Sequence, residues 1–349
     1  MIAKIGLDLG YANITLSDAT CEIYREPSIA LIQREARTDR NRIIAVGNDA
    51  MSYTPDDGVP KFGTLVRPFK NGILFDYHLT EEIIHKAIGA LGDAENIRCI
   101  IGVPADFLPR QEKELFSMLA SAGVATSLSV SRSVAAIIGA GYSPSMSVIS
   151  VNIGALSTEI SVLHKGKVIT SSRAEIGGED FDKAVKQFIL DQGDVNVSLS
   201  VARAIKERLG AVWKGKPNDS IEIDGTLALT GNKLRMSIST EDIVGVFEDP
   251  LQKLITEIIS VVKEIPSEAV EDVFENGIVL TGGGANLYGV DMLLEKVIGI
   301  SVTRPDGAID CVAKGLSRIN GFISDRSRMQ NKNITAQLAD MYEQSKTKM

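Results

Sequence analysis

The segment GLDLGYANITLSD, residues 6–18, returns in outline as VNIGALSTEISV, residues 151–162. Each is an apolar strand, a small-residue turn bearing a glycine, and a second strand. Two such hairpins roughly 145 residues apart point to a duplicated domain, with one phosphate-directed loop from each half facing a common cleft. The length of 349 residues suits two domains of ordinary size.

Between and after the hairpins the periodicity alternates between helix and strand, the mark of an α/β chain. EEIIHKAIGAL has helical spacing, IRCIIGVPA is a buried strand ended by Pro104, and RQEKELFSMLASAG is a helix closed by Gly123. TSLSVSRSVAAIIGAG runs from strand into a small-residue helix. The second half continues with helices in GGEDFDKAVKQFIL and SLSVARAIKERLGAV, short strands around IEIDGTLAL, and long helices through TEDIVGVFEDPLQKLITEIISVVKEI. Then GIVLTGGGANLYGVDMLLEKV reads as strand, glycine turn and helix. Three glycines let backbone approach a ligand closely, and the following helix start is expected to supply unpaired N–H groups.

Composition removes several classes of function. A net charge of −8 and a pI near 5.1 leave no domain-wide cationic excess for nucleic acid. Cys21, Cys99 and Cys311, like His78, His85 and His164, are scattered without metal-ligand spacing, so reduced, buried thiols are expected. The N-terminus enters a strand directly, without a signal-peptide pattern, and no apolar run is long enough to span a bilayer. A cytoplasmic location is expected.

In order, GLDLGYANI, VNIGALSTEI, IGGEDFDKAV, AIKERLG and IVLTGGGANLYG resemble the five nucleotide-cleft segments of the actin and sugar-kinase superfamily. EPSIALI, AVGNDAM, VRPFKNGILFDY, IIGVPADFLPRQEKEL and VAAIIGAG narrow the resemblance to the bacterial actin family MreB, over residues 1 to about 322. It implies an actin-like fold: two RNase H-like domains around a nucleotide cleft, each with a smaller subdomain. On this chain the first would be 1–142, with an insertion at about 28–72. The second would be 143–322, with a subdomain at about 190–262 and about 308–322 packing back on the first, followed by a tail, 323–349.

The resemblance also implies ATP or ADP with Mg2+ as ligands. It puts Asp8, Gly10, Tyr11, Ala12 and Asn13 at the first phosphate hairpin and Asn152, Gly154, Ser157 and Thr158 at the second. Gly177, Gly178 and Asp182 would lie near phosphates or sugar, Lys206 and Glu207 at ribose and base, and Gly282, Gly283, Gly284 and Asn286 by the adenosine. Asp8 would hold Mg2+ through water; its alternative role is to cap turn N–H groups.

Three departures from the family pattern bear on activity. Asn152 stands where the family has Asp, removing a charge that helps hold the hydrated metal. Ser131 and Arg132 stand where MreB proteins carry a Glu pair that positions the attacking water. An arginine stays protonated and cannot act as a base, although it can pair with phosphate or form an interdomain salt bridge. Ala155 and Leu156 interrupt a glycine-rich turn. The expectation is nucleotide binding, weakened, with ATP hydrolysis lost or strongly impaired.

By family resemblance the chain would be a filament-forming cytoskeletal or scaffolding protein. It would contact itself head to tail, with an MreB paralogue as a further partner. A slow ATPase or small-molecule kinase, and a monomeric adaptor, are the rivals. The loop GDAENIR is polar, so membrane contact is expected to be weak or indirect, through partners. In the tail Asn333 would cap a short helix carrying Ile334, Leu338 and Met341 on one face.

Overall fold

A computed structural model of the chain describes residues 3–18, 20, 23–34, 41–53, 60, 62–70, 73–92, 94 and 96–322. The helix expected around Asn333 lies outside them. The first half opens as a meander of β1 (Lys4–Leu9), β2 (Asn13–Ser17) and β3 (Ile23–Pro27), each antiparallel to the one before. A small sheet follows, with β4 (Ala30–Arg34) between β5 (Asn41–Val46) and β6 (Thr64–Val66). Ala50 of α1 (Gly47–Ser52) packs with Leu31 beneath it.

A hairpin of β7 (Phe69–Lys70) and β8 (Ile73–Leu74) leads into α2 (Tyr77–Gly89). Asp76 caps α2 by accepting from the Leu79 N–H at 3.0 Å. After it come β9 (Ile97–Val103), α3 (Pro109–Ser121), β10 (Val124–Ser131) and α4 (Arg132–Gly139). Gly123, just past α3, has φ of +90°, the left-handed conformation that ends a helix without strain only at glycine. Strands β9 and β10 add in parallel on the far side of β1, giving the order β10–β9–β1–β2–β3. Covered on both faces, β9 reads as a nearly unbroken apolar run.

The second half repeats this plan. β11 (Val148–Ile153), β12 (Thr158–His164) and β13 (Lys167–Ala174) form the antiparallel meander, turned between the last two by Lys165 and Gly166 at positive φ. Next are α5 (Gly178–Gly193), β14 (Val195–Asn196), α6 (Leu199–Leu209), β15 (Ser220–Leu227) and β16 (Lys233–Ser239). The three strands here make a second small sheet. The chain ends with α7 (Glu248–Lys263), α8 (Ser267–Asn276), β17 (Ile278–Thr281), α9 (Val290–Ile298), β18 (Val302–Thr303) and α10 (Cys311–Phe322). The large sheet runs β13–β12–β11–β17–β18, parallel and antiparallel at the same places as its counterpart. The duplication read from two hairpins is thus present in the strand order itself.

Two local expectations are corrected. The long helix begins at Glu248, and residues 240–247 are turns, because Gly245 takes φ of +91°. The glycine triplet does not open an α-helix: its last two glycines begin a 3-10 turn, Gly283–Asn286, and α9 starts only after Gly289 at φ of +77°.

One apolar core lies under each large sheet, and a third joins the halves. Ile100 of β9, Val148 and Leu163 of β11 and β12, and Val279 of β17 meet Val134, Ile137, Leu316 and Ile319 of α4 and α10. The two helices cross where neither can carry a side chain: a Cβ on Gly139 would lie 1.7 Å from the Cys311 carbonyl, and one on Gly315 1.8 Å from that of Ala135. Helix α10 is tied to the first sheet, with Asn320 Nδ2 donating to the carbonyls of Ile5 at 2.9 Å and Arg98 at 3.1 Å. Among the described residues no helix is long and apolar enough to cross a membrane.

Candidate nucleotide cleft

The equivalent hairpins end facing each other. In the first the Gly10 N–H donates to the Asn13 carbonyl at 2.9 Å, and in the second the Gly154 N–H donates to Ser157 at 3.0 Å. A Cβ on either glycine would sit 2.8 Å from the carbonyl it serves, so both turns close tightly only as glycine. Between them lies a cleft of about 510 Å³, a volume within the range of small-molecule sites.

Of the residues expected at the site, Asp8, Gly10, Tyr11, Ala12, Asn13, Asn152, Gly154, Ser157, Gly178, Asp182, Lys206, Glu207, Gly282, Gly283, Gly284 and Asn286 line this cleft. Thr158 and Gly177 are not on its wall. Thr158 is fully buried and its hydroxyl donates to the Ile176 carbonyl at 2.7 Å, tying β12 to the chain before α5. Gly177 lets that chain pass the second turn, since a Cβ there would be 2.6 Å from the Ala155 carbonyl. The Gly178 and Glu179 N–H groups donate to Gly154 and Ala155 at 2.9 and 2.8 Å. The first turn of α5 therefore holds the hairpin rather than offering those donors to a ligand.

The glycine triplet divides its labour similarly. A Cβ on Gly282 would lie 2.4 Å from both Asn152 Oδ1 and the Ile153 carbonyl, and one on Gly284 2.2 Å from Ile153 Cγ2. Both are glycine because β11 presses against them. At Gly283 the nearest atom, Ile309 Cδ1, is 3.6 Å away, which leaves room on the cleft side.

Asp182 is completely buried in α5 and anchors two cations of α6: Arg203 Nε lies 2.9 Å from Oδ2 and Lys206 Nζ 2.6 Å from Oδ1. Lys206 also donates to the Gly178 carbonyl at 3.0 Å. This fixes a cation on the wall of the cleft through a partner that itself has no access to solvent.

The centre of the cleft belongs to Arg132, the first residue of α4. Its Nε donates to Asp8 Oδ1 at 3.0 Å, its Nη1 to Glu159 Oε1 at 3.0 Å, and its Nη2 to the Leu9 carbonyl. The guanidinium side chain is only 11% exposed. Burial acts to lower its pKa, but the Asp8 and Glu159 charges outweigh that and hold it above the ordinary arginine value. One cation thus bridges both hairpins. Among the described residues Glu159 Oε2 and Ser131 Oγ, both buried, have no hydrogen-bond partner.

Sequence reasoning missed Glu159, Arg67 and Glu179. Glu159 faces Asn152 across β11 and β12 as Thr15 faces Asp8 across β1 and β2, so the carboxylate has changed strands between the halves. Superposing the two hairpin sequences would have revealed it. Arg67 donates to the Tyr11 and Ala12 carbonyls at 3.0 and 3.1 Å and lies 5.0 Å from the Tyr11 ring centre. Burial and a hydrogen bond to Glu179 of α5 raise the Tyr11 pKa, a further link across the cleft.

These walls fit a phosphate-bearing ligand such as a nucleotide: two tight turns, cations held at the edge, and an open glycine beside Asn286. They do not fit a hydrated Mg2+ held by Asp8. That carboxylate already accepts from a guanidinium, and among the described residues no group of three or more His, Cys, Asp or Glu side chains could hold a metal ion.

Two duplicated α/β halves with matching strand order, joined through crossed helices around a cleft, define an actin-like fold. The chain belongs to the MreB/Mbl protein family, whose model matches residues 2–328. It is 28% identical over 322 residues to the cell shape-determining protein Mbl of Bacillus cereus, covering 89% of this chain and 93% of that protein. To the cell shape-determining protein MreB of Escherichia coli it is 27% identical over 318 residues, covering 89% and 91%. Its fold is similar to that of MreB5 of Spiroplasma citri bound to ADP, with a TM-score of 0.82 at 21% identity over 90% of this chain and 95% of that one. MamK in a double helical filament superposes with a TM-score of 0.76 at 20% identity, over 93% and 100%.

Proposed function

We propose that this chain is a filament-forming actin-like cytoskeletal or scaffolding protein of the MreB type, whose cleft takes ATP or ADP and whose hydrolysis is lost or strongly impaired. The observation that carries the reading is Arg132. It stands at the mouth of α4, between the hairpins, as a permanently protonated group paired with both nearby carboxylates. Asp8 Oδ1 and Glu159 Oε1 are both taken up by the guanidinium, and the arginine cannot accept a proton from an attacking water.

Family membership supports the filament. The relatives named above are cell shape-determining proteins, and MamK, similar in fold, forms a double helical filament. Spiroplasma MreB5 binds ADP and AMPPNP, which supports a nucleotide in the equivalent cleft here. In this reading the turns at Gly10 and Gly154 face the phosphates, Lys206 and Glu207 edge the ribose, and Gly283 and Asn286 border the base. Contacts run head to tail between copies, or with an MreB paralogue, in the cytoplasm, and any membrane contact is made through partners.

Sedimentation and negative-stain microscopy of the pure protein, with and without ATP, test the assembly. Polymer is expected under both conditions. Absence of polymer in either, and also in the presence of a paralogue, would leave a monomeric adaptor as the better description.

A further inference from the structure

We propose that Arg132 is a built-in cation that takes the place of a divalent metal at the phosphate end of the cleft, so that the protein binds uncomplexed nucleotide without needing Mg2+. The inference rests on the nucleotide reading of the cleft and concerns how that nucleotide's charge is met.

A guanidinium has five N–H bonds in a planar fork. Three are used, toward Asp8, Glu159 and the Leu9 carbonyl. Among the described residues one N–H on each Nη remains for a ligand oxygen, which is the arrangement that suits a phosphate. The side chain lies on the cleft wall with both hairpin turns.

A metal ion would compete with Arg132 for the carboxylates. Mg2+ demands octahedral oxygen ligands and usually retains several waters, bound through one or two carboxylates. The two carboxylates on the hairpin strands, Asp8 and Glu159, each accept a charge-assisted bond of 3.0 Å from the same guanidinium. A hydrated ion would have to displace that fork or sit beside its positive charge. Asn152, directly opposite Glu159, contributes no compensating charge.

The strand beneath accommodates the arginine. A Cβ on Gly102 of β9 would lie 3.2 Å from Arg132 Cγ, tighter than ordinary contact, so glycine there gives the side chain its path across the sheet. Arg25, Arg203 and Lys206 also line the cleft, paired like Arg132 with carboxylates, Asp310 for the first and Asp182 for the other two, but among the described residues none of these three bonds to a residue of either hairpin. Arg132 is the cation placed where the two hairpins meet.

The test is calorimetric binding of ATP and ADP to the full chain in EDTA and in Mg2+, for wild type, Arg132→Gln and Arg132→Lys. Wild-type Kd is expected to agree within about threefold between the two buffers. Arg132→Gln is expected to lose at least about tenfold in EDTA and to regain affinity with Mg2+, because Asp8 and Glu159 are released. Arg132→Lys, which keeps the charge, is expected to remain nearly metal-independent. Wild-type binding that weakens about tenfold or more in EDTA overturns the inference and leaves the nucleotide reading standing. No binding of either nucleotide in either buffer overturns both. The wild-type comparison decides even if Arg132→Gln does not fold.

Discussion

Replacing Arg132 with alanine is expected to destabilise the protein more than replacing any of its partners. The guanidinium, Asp8 and Glu159 side chains are 11%, 23% and 12% exposed. Without the arginine, Glu159 Oε1 loses its donor and joins Oε2, which has none among the described residues. Stranding a buried charge in this way costs about 3–5 kcal/mol. At about 2–4 °C per kcal/mol for a domain of this size, the calorimetric melting temperature should fall by roughly 6–20 °C. Glu159→Ala alone leaves Arg132 bound to Asp8 and the Leu9 carbonyl, so its cost is set by one charged hydrogen bond, about 1.5–3 kcal/mol. In the double variant no carboxylate remains stranded at position 159, and its cost should fall short of the sum of the single costs by about 1–3 kcal/mol. Arg132→Ala within about 0.5 kcal/mol of wild type, or strictly additive single costs, would refute the buried bridge.

The crossing of α4 and α10 gives a sharper contrast between glycines. Gly315→Ala puts a Cβ 1.8 Å from the Ala135 carbonyl and is expected to cost about 3 kcal/mol or more, whereas Gly89→Ala, with nothing within 4 Å, should stabilise α2 by about 0.5–1 kcal/mol. Urea titration of both variants checks the pair. Asp182→Ala is expected to cost about 3–5 kcal/mol because it strands Lys206, only 15% exposed. Arg203→Ala, whose side chain is 39% exposed, should cost about 1 kcal/mol or less by the same titration. Burial raises the Cys99 thiol pKa and pushes Cys311 up to about 11, so at pH 8 the Cys311 thiolate is on the order of 0.1% of the total. In a Cys21→Ser background, thiol labelling at pH 8 should be at least about 100-fold slower before urea than after it, and should accelerate as pH approaches 11.

Local chemistry was legible in the sequence wherever one residue type decides the backbone. Gly10, Gly154 and Gly123 marked their turns, apolar runs marked β1 and β11, and helical spacing marked the helices between. The doubled strand order followed from recognising one hairpin twice. What sequence spacing could not show was which surface each group meets. Gly282 and Gly284 look like ligand glycines but are packed on Ile153, and Thr158 turns away from the cleft toward Ile176. Asp182 looks like a ligand carboxylate and is instead a buried anchor for Arg203 and Lys206. Arg132 was open between phosphate pairing and an interdomain bridge. The bridge depends on Glu159, 27 residues on, and on Asp8, 124 residues back, brought together only by the facing of two sheets.

Assembly without nucleotide turnover is checked by recording polymer mass by light scattering and phosphate release in the same ATP-containing sample. Scattering that rises while phosphate stays at the protein-free level is the expected result. Phosphate release that climbs in step with polymer mass would contradict it, and would show that the cleft hydrolyses ATP despite Arg132.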